Sequence, residues 1–422
     1  MKKNGNCKEY YVFKIYVLFY LFSSIFIGVS TIINYQMYGE AMSVHLTLDK
    51  IDLIFLLILH CSTLLATIPL FKATKNLWIR FKKNHIRIYF VIDKKINVFV
   101  FIVLFLQLLF SLYSGNGVVG QDQDAPNSII ALFMNMLKIS QFMPIYYVVA
   151  RNVKKKIYWL NIMLWLIYQL ACGWSQIILQ IFILEFYLRI KTGSSGKFVQ
   201  LLYKLNVLVS PILLMGGAII YKYAWALKNT IRNGYIFLPL NYPDALSALI
   251  SRFTSYPITV TAFQNQYKIS ALYQLQGIRF ADIRAIFRPL LPGILMPNKS
   301  FRTLNNLVMQ SIYPNITNTT SSGYCPWLIW WNLFSSDILD FLVYVVIFLL
   351  LFIISKTIIY MFDDGTKNVE ILYFLLVFQF LSGSSAETMF GYGYIGLIYF
   401  IPIMVFFKII RIKKGIIINR RF

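Results

Sequence analysis

The amino-acid sequence predicts an all-α fold, a polytopic bundle of membrane-spanning helices. Hydrophobic residues make up 58% of the 422 residues, whereas charged residues make up only 13%. A soluble domain carries roughly 25% charged residues. Mean hydropathy is +0.64, and several apolar runs reach the roughly 20 residues that a helix needs to cross the hydrocarbon core of a bilayer. Lipid is therefore expected to solvate most of the surface.

Ten apolar runs are predicted as spans, and the count rises to 11–12 if half-length helices are present. The first run is too long for the apolar core of a signal peptide and has no small-residue cleavage site, so it is predicted to be an uncleaved first helix. The fifth and sixth runs are short and are predicted to form a hairpin that turns at 172–174. The ten runs are 10–34, 51–71, 97–114, 128–150, 157–172, 175–189, 203–222, 336–359, 368–383 and 391–410.

The distribution of Lys and Arg predicts the orientation. The short connections that would lie on one side carry 24 of these residues, whereas those on the other side carry only Lys50. Cytoplasmic loops are enriched in Lys and Arg, so both termini are predicted to be cytoplasmic, in a bacterial inner membrane. The net charge of +24 is then explained by these loops and their contacts with lipid headgroups. No nucleic-acid partner is expected.

Three segments follow from this topology: an N-terminal bundle of about seven spans (1–222), a large and mostly helical periplasmic loop (223–335), and C-terminal helices with a basic tail (336–422). The loop carries nine bases and two acids, a net charge of +7. This charge favours either an anionic ligand or a solvated face that meets lipid phosphates. Helical periodicity is predicted at 244–255 and 268–278, and Asp244 after Pro243 is predicted to be an N-cap.

Three stretches of the loop carry a family pattern. ISRFTSYP places Arg252 after the first predicted loop helix. IFRPLLPGILMPNKSFR is a non-helical strap that contains Arg288 and Lys299. TNTTSSGYCPWLIWWNLF is a Thr/Ser-Gly turn that leads into an aromatic re-entry to the membrane. In these motifs and in its architecture, the chain resembles the bacterial O-antigen and capsule repeat-unit polymerases of the Wzy type.

The resemblance implies a fold similar to the GT-C glycosyltransferases and a reaction that joins oligosaccharide repeat units. Donor and acceptor would both be linked to undecaprenyl pyrophosphate. Membrane lipids and a protein that regulates chain length would be further partners. The chain departs from the family at the re-entry, where many members have a Gly-Glu pair and this chain has Leu328 and Ile329. A glutamate role at that position is therefore in doubt.

The chemistry that this reaction needs fits the basic loop. Pyrophosphate is a good leaving group that needs charge stabilisation more than a proton, and the planar fork of Arg binds phosphate oxygens bidentately. The loop lacks the clustered carboxylates that would hold Mg²⁺, so no metal or other cofactor is expected. The predicted pyrophosphate ligands are Arg252, Arg279, Arg288 and Lys299; a surface position or a structural ion pair is the alternative for each.

The attacking hydroxyl could be deprotonated by a carboxylate. The loop offers Asp244 and Asp282 as catalytic candidates, and orientation without any base is the alternative. Asp337, Asp340 and Glu387 lie at or beyond its edge.

Tyr324 and Trp327 are predicted to bind glycan or lipid headgroups, with an interfacial aromatic belt as the alternative. Lys138 lies in the middle of a predicted span, where a charge usually faces a bundle interior or a cavity. It is predicted to contact the lipid diphosphate.

Three other functions remain open. An O-antigen ligase would share the general fold and the basic loop, but a histidine is expected in its loop and this loop contains none. A flippase for the same lipid-linked unit is typically a longer bundle built from repeats. A seven-helix chemosensory receptor or channel would suit the glycosylation sequons at Asn315 and Asn318, although the predicted span count is even.

Overall fold

The computed structural model describes residues 5–38, 41, 44–81, 87–114, 130, 133–134, 137, 139–152, 155–172, 174, 176–192, 208–233, 236–277, 281, 284, 302–312, 338–363, 366–382 and 395–415. Helices dominate this part of the chain. The N-terminal half contains α1 (Gly5–Asn34), α2 (Lys50–Phe81), β1 (Arg87–Ile92), α3 (Ile96–Ser114), α4 (Ile139–Val149), α5 (Lys155–Ala171), α6 (Gln176–Thr192) and α7 (Val209–Asn233). The C-terminal half contains α8 (Tyr242–Arg252), α9 (Tyr256–Gln264), α10 (Gln266–Leu275), α11 (Leu304–Ile312), α12 (Ile338–Met361), α13 (Glu370–Ser382), α14 (Ile395–Phe406) and β2 (Ile410–Gly415).

A described helix overlaps each of the ten predicted spans. Three helical segments are long and apolar enough to cross a membrane by length and composition: Tyr10–Asn34, Lys50–Lys75 and Ile96–Ser114. These segments indicate a membrane protein, and the mostly helical character agrees with the predicted fold class. Ten crossings and the orientation stay predictions.

The first two helices pack closely side by side. Gly28 in α1 lies against the side chain of Leu57 in α2, and a Cβ atom added at Gly28 would lie 2.5 Å from the Leu57 Cδ1 atom. Glycine therefore allows the two helices to approach here. α13 packs against the same pair, with the ring of Phe374 stacked on that of Phe13 at 4.4 Å.

One end of the bundle collects the basic connections and is called the basic end. Here Lys75 near the end of α2 forms an ion pair of 2.8 Å with Glu370 at the start of α13. At the same end, Arg151 and Arg189 both pair with Glu185 of α6. The hydrogen bond between Arg151 and Glu185 raises the pKa of Arg151. The opposite end, where α1 ends and α2 begins, is called the far end.

A two-stranded antiparallel sheet also lies at the basic end and departs from the all-α prediction. β1 follows α2 and pairs with β2, which follows α14, so that Val91 lies opposite Arg411. The pairing joins segments more than 300 residues apart, which periodicity within one segment cannot reveal. It also places the connection after α2 and the basic tail on the same side, as the Lys and Arg distribution predicts.

Polar side chains form buried hydrogen bonds between α3, α4 and α5. The Tyr146 hydroxyl donates to Asn97 Oδ1 at 2.7 Å, and Asn161 donates to both the Asn97 carbonyl and the Tyr146 oxygen at 2.8 Å. Gln107 of α3 donates to the carbonyl of Leu137, just before α4 begins. Such bonds between helices fix the relative positions of elements that apolar packing alone would leave free to slide.

Candidate functional site

The first two helices of the predicted external loop, α8 and α9, pack into the bundle. α8 begins at Tyr242, and the Asn241 side chain caps it by accepting a hydrogen bond from the Asp244 backbone N–H at 2.9 Å. The prediction that Asp244 is the cap was therefore wrong, because the helix starts two residues earlier, with Pro243 in its first turn. Asp244 is exposed in that first turn, where its carboxylate stabilises the positive end of the helix dipole.

A three-residue turn, 253–255, separates α8 from α9. α9 begins at Tyr256, whose backbone N–H donates a hydrogen bond to the Thr254 hydroxyl at 3.1 Å. Pro257 follows within the first turn of α9, a position where its missing N–H leaves no unmet bond. A proline there cannot continue α8, which accounts for the break. We call α8, this turn and α9 the re-entrant pair.

The turn of the re-entrant pair docks between α1 and α2, about a third of their length from the far end. The Thr254 hydroxyl lies 2.9 Å from the Ser24 hydroxyl, which in turn lies 3.1 Å from His60 Nε2. All three side chains are buried. Ser24 lies ten residues before the end of α1, and His60 lies ten residues after the start of α2. At 1.5 Å per residue, the turn lies about 15 Å from the far end, which is half of a hydrocarbon core of about 30 Å.

The neighbours of the turn come from three helices. The Phe253 ring packs against those of Phe19 and Tyr20 at 5.7 and 5.5 Å. The Tyr256 hydroxyl donates to the Leu53 carbonyl of α2 at 2.9 Å. The Ser255 hydroxyl donates to the carbonyl of Ser382, the last residue of α13, at 3.2 Å. Since α13 has 13 residues and is about 20 Å long, it starts at the basic end and stops where the turn sits.

The re-entrant pair leaves the bundle at the far end. Gln264, the last residue of α9, donates to the His45 carbonyl at 2.8 Å and accepts from the Thr47 N–H at 3.1 Å. Both partners lie in the connection between α1 and α2. α9 therefore climbs from the middle of the bundle to its far end. Residues Tyr256–Ala262 are all buried, which differs from the expectation of a loop that lies wholly outside.

Arg252 is the charged residue nearest the turn on its own helix. It is exposed and occupies the last turn of α8, and its side chain or backbone makes a polar or ring contact. Its position next to Phe253 places the backbone of Arg252 near the middle depth of the bundle. Charges at such depth almost always face a water-filled cavity or the bundle interior and mark binding sites or pathways.

Of the residues predicted for the site, the structure describes two. Asp244 and Arg252 lie on the same helix, eight residues apart, so that about 12 Å of helix axis separates them. The role of Asp244 as a catalytic carboxylate and the role of Arg252 as a pyrophosphate ligand stay predictions. The remaining candidates lie outside the described residues: Lys138, Arg279, Asp282, Arg288, Lys299, Tyr324 and Trp327.

The polar cluster of Ser24, His60 and Thr254 was not predicted as a site. His60 lies within the second predicted span and is buried. The signal in the sequence is weak, because no motif or spacing links the three positions. His60 Nδ1 has no hydrogen-bond partner in the described part of the chain. The three residues come close together only because α1, α2 and the turn pack against one another.

Comparison with known proteins identifies no relative. No family model matches the chain, no curated protein matches it, and no solved structure matches it. The function proposed below is therefore inferred from the residues and their geometry.

Proposed function

We propose that the chain is a membrane glycosyltransferase that joins lipid-pyrophosphate-linked oligosaccharide repeat units, as an O-antigen polymerase does. The observation that carries the proposal is the re-entrant pair: Arg252 at the end of α8 comes two residues before Thr254, which lies in a buried polar cluster between α1 and α2. A lipid-linked pyrophosphate has to be met within the membrane boundary, because its polyprenyl tail stays in the hydrocarbon. A guanidinium group at this depth suits that substrate.

The proposed role of Arg252 is to bind the pyrophosphate of the donor. In the reaction, a hydroxyl oxygen of the acceptor unit forms a bond to the anomeric carbon at the reducing end of the growing chain. The bond from that carbon to the phosphate oxygen breaks, and the electron pair leaves with the lipid pyrophosphate. Arg252 stabilises the negative charge that develops on the leaving oxygen. The proton of the attacking hydroxyl passes to a base or to water.

Asp244 fits this scheme in one arrangement only. It lies about 12 Å from Arg252 along α8, so a pyrophosphate held by Arg252 would have to direct its sugar along α8 toward the helix start. The Asp244 carboxylate is exposed there and its side chain accepts no hydrogen bond in the described contacts. It is therefore open to an acceptor hydroxyl. Arg279, Arg288 and Lys299 would add positive charge around the same pyrophosphate.

The proposal includes the predicted setting: a bacterial inner membrane, ten crossings, both termini in the cytoplasm, and the reaction on the periplasmic face. The positions of the helix ends support this orientation. The basic connections lie together at the end that carries the sheet, and the re-entrant pair enters from the other end. Under this orientation a substrate reaches Arg252 from the periplasmic side.

Deletion of the gene in its host tests the proposal. We expect the ladder of long surface glycans to collapse to single repeat units. Complementation with Arg252→Ala should leave the collapse in place, since the loss of one group that stabilises transition-state charge lowers rates about 10²–10³-fold. Lys268→Ala is the matched control, because Lys268 is an exposed base on α10 in the same predicted loop. An unchanged ladder in the deletion strain would refute the proposal, provided that all variants are present at equal levels in the membrane.

A flippase for the same lipid-linked unit is the second candidate, and one contact favours it. α9 starts and α13 stops at the same depth, joined by the Ser255–Ser382 hydrogen bond of 3.2 Å. Discontinuous helices that meet near the midplane are typical of secondary transporters. Purified protein in vesicles separates the two functions. A polymerase lengthens the lipid-linked glycan, whereas a flippase only moves the unchanged unit to the opposite leaflet.

A further inference from the structure

The sheet at the basic end carries a cluster of exposed bases. Strand pairing brings the tail next to the connection between β1 and α3, with Val91 opposite Arg411 and the Asp93 N–H donating to the Ile409 carbonyl at 3.0 Å. Arg411 pairs with Asp93 at 3.4 Å and is 67% exposed, so this ion pair leaves most of its side chain in contact with solvent. We call the cluster the basic edge, and its members are Lys94, Lys95, Lys408, Arg411 and Lys413, all of them exposed.

Exposed apolar side chains adjoin the basic edge. Phe406 and Phe407 at the end of α14 are 80% and 57% exposed, and Ile412 in β2 is 55% exposed. Large side chains exposed in this way on a soluble surface would favour aggregation. Beside a cluster of bases, they are typical of surfaces that lie in the interface of a membrane, with rings at the acyl boundary and charges at the phosphates.

The position of the basic edge relative to α3 fixes its depth. α3 is one of the three helices that can cross a membrane, and its exposed apolar stripe begins at Val98 and continues through Ile102 and Phe105. Lys94 and Lys95 lie three to four residues before Val98, which is about 6 Å along the helix direction. The bases therefore sit directly beyond the start of the lipid-facing stripe, at the depth of the headgroups.

We propose that the basic edge binds the headgroups of acidic phospholipids in the leaflet around the basic end. Five exposed bases, of which Arg411 pairs with the Asp93 carboxylate, give this surface a positive charge that neutral headgroups do not complement, whereas lipid phosphates with net negative charge do. Bound lipid would link two segments distant in the chain, the connection before α3 and the tail. Headgroup binding at the basic edge does not depend on the proposed glycosyltransferase reaction.

Lipid titration of the full-length purified protein tests the inference. Native mass spectrometry would compare the binding of phosphatidylglycerol and phosphatidylcholine to the wild type and to Lys94→Gln/Lys95→Gln/Lys413→Gln. Each base near an acidic membrane surface contributes roughly a fivefold preference, so the triple variant should lose the preference for phosphatidylglycerol by on the order of 100-fold. The matched control removes the same charge elsewhere, from the exposed residues Lys50, Lys268 and Arg284.

The Lys→Arg triple at the same three positions keeps the charge and should keep the preference. Three results would each overturn the inference. In the first, the Gln triple binds phosphatidylglycerol like the wild type. In the second, the control triple or the Lys→Arg triple loses as much as the Gln triple. In the third, millimolar inorganic phosphate displaces the lipid, which would indicate a site for a small anion instead of a lipid surface.

Discussion

Replacement of Thr254 by Val tests whether hydrogen bonds hold the re-entrant pair in the bundle. Val keeps the shape of Thr but lacks its hydroxyl. In the structure this hydroxyl lies 2.9 Å from the Ser24 hydroxyl and accepts the Tyr256 N–H at 3.1 Å. The substitution therefore removes one contact to α1 and the acceptor of the first backbone N–H of α9 at the same time, without opening a cavity.

The expected cost follows from these two bonds. A side-chain hydrogen bond between membrane helices contributes about 0.6 kcal/mol on average. A buried N–H that loses its acceptor costs about 1–3 kcal/mol, and Tyr256 is fully buried. The free energy of opening of the re-entrant pair should therefore fall by about 2–4 kcal/mol, which corresponds to roughly 30- to 1,000-fold more frequent opening.

Hydrogen exchange of the amides in 253–264, measured in lipid nanodiscs, gives this opening free energy. Thr254→Ser keeps the hydroxyl and should stay much closer to the wild type. Thr261→Val is the control within α9, because the Thr261 hydroxyl donates only to the Pro257 carbonyl of its own helix. Equal exchange in Thr254→Val and the wild type would show that the turn is not held by these bonds. Equal losses in Thr254→Val and Thr261→Val would have the same meaning.

Three further predictions concern the bundle, and thermal unfolding in detergent checks each. Lys75→Met should destabilise the bundle by about 3–5 kcal/mol, because the Glu370 side chain is only 4% exposed and would lose its partner. The double variant Lys75→Met/Glu370→Leu should recover most of this loss. A double variant no more stable than the single one would contradict the prediction. Gly28→Val should cost about 1–3 kcal/mol by overpacking, and Leu57→Ala in the same chain should relieve it if the 2.5 Å approach is the cause. Gln107→Leu should lower the free energy of unfolding by about 1–3 kcal/mol, because the Leu137 carbonyl loses its hydrogen-bond donor. An unchanged melting temperature would exclude a stabilising role for this hydrogen bond.

Positions of single helices could be predicted from the sequence because their signal is local. The apolar run from Ile51 to Phe71 matches the part of α2 that can cross a membrane, and the end of α8 near Arg252 lies within three residues of its predicted limit. Hydrophobic burial depends on composition over about 20 residues, which a window captures. The separate helix α9 was missed, because YPITVTAFQ is rich in β-branched residues of low helix propensity and gains its stability from tertiary burial.

Long-range contacts could not be predicted by the same route. The sheet pairs Ile92 with Ile410, and each strand alone is only six residues long in a basic stretch. The Ser24–Thr254 bond joins residues 230 positions apart. Neither hydroxyl differs in sequence from any other Ser or Thr in an apolar run, so only the folded arrangement of α1 and α2 makes them partners.

The strength of the docking contacts suits a substrate-controlled element. Besides the ring contacts of Phe253 with Phe19 and Tyr20, three hydrogen bonds of the described residues hold the re-entrant pair to α1, α2 and α13; they come from Thr254, Tyr256 and Ser255. At about 0.6 kcal/mol each, the three hydrogen bonds contribute about 2 kcal/mol together, which is within the roughly 1–3 kcal/mol typical of the coupling between a ligand and a conformational change. A lipid-linked pyrophosphate that binds Arg252 more tightly in one position of the turn could therefore shift the turn by roughly 30-fold in population. Both proposed functions need such a shift, but they differ in its extent. A polymerase needs only the re-entrant pair to adjust on the far side, whereas a flippase also needs Ser382 and the end of α13 to part from Ser255.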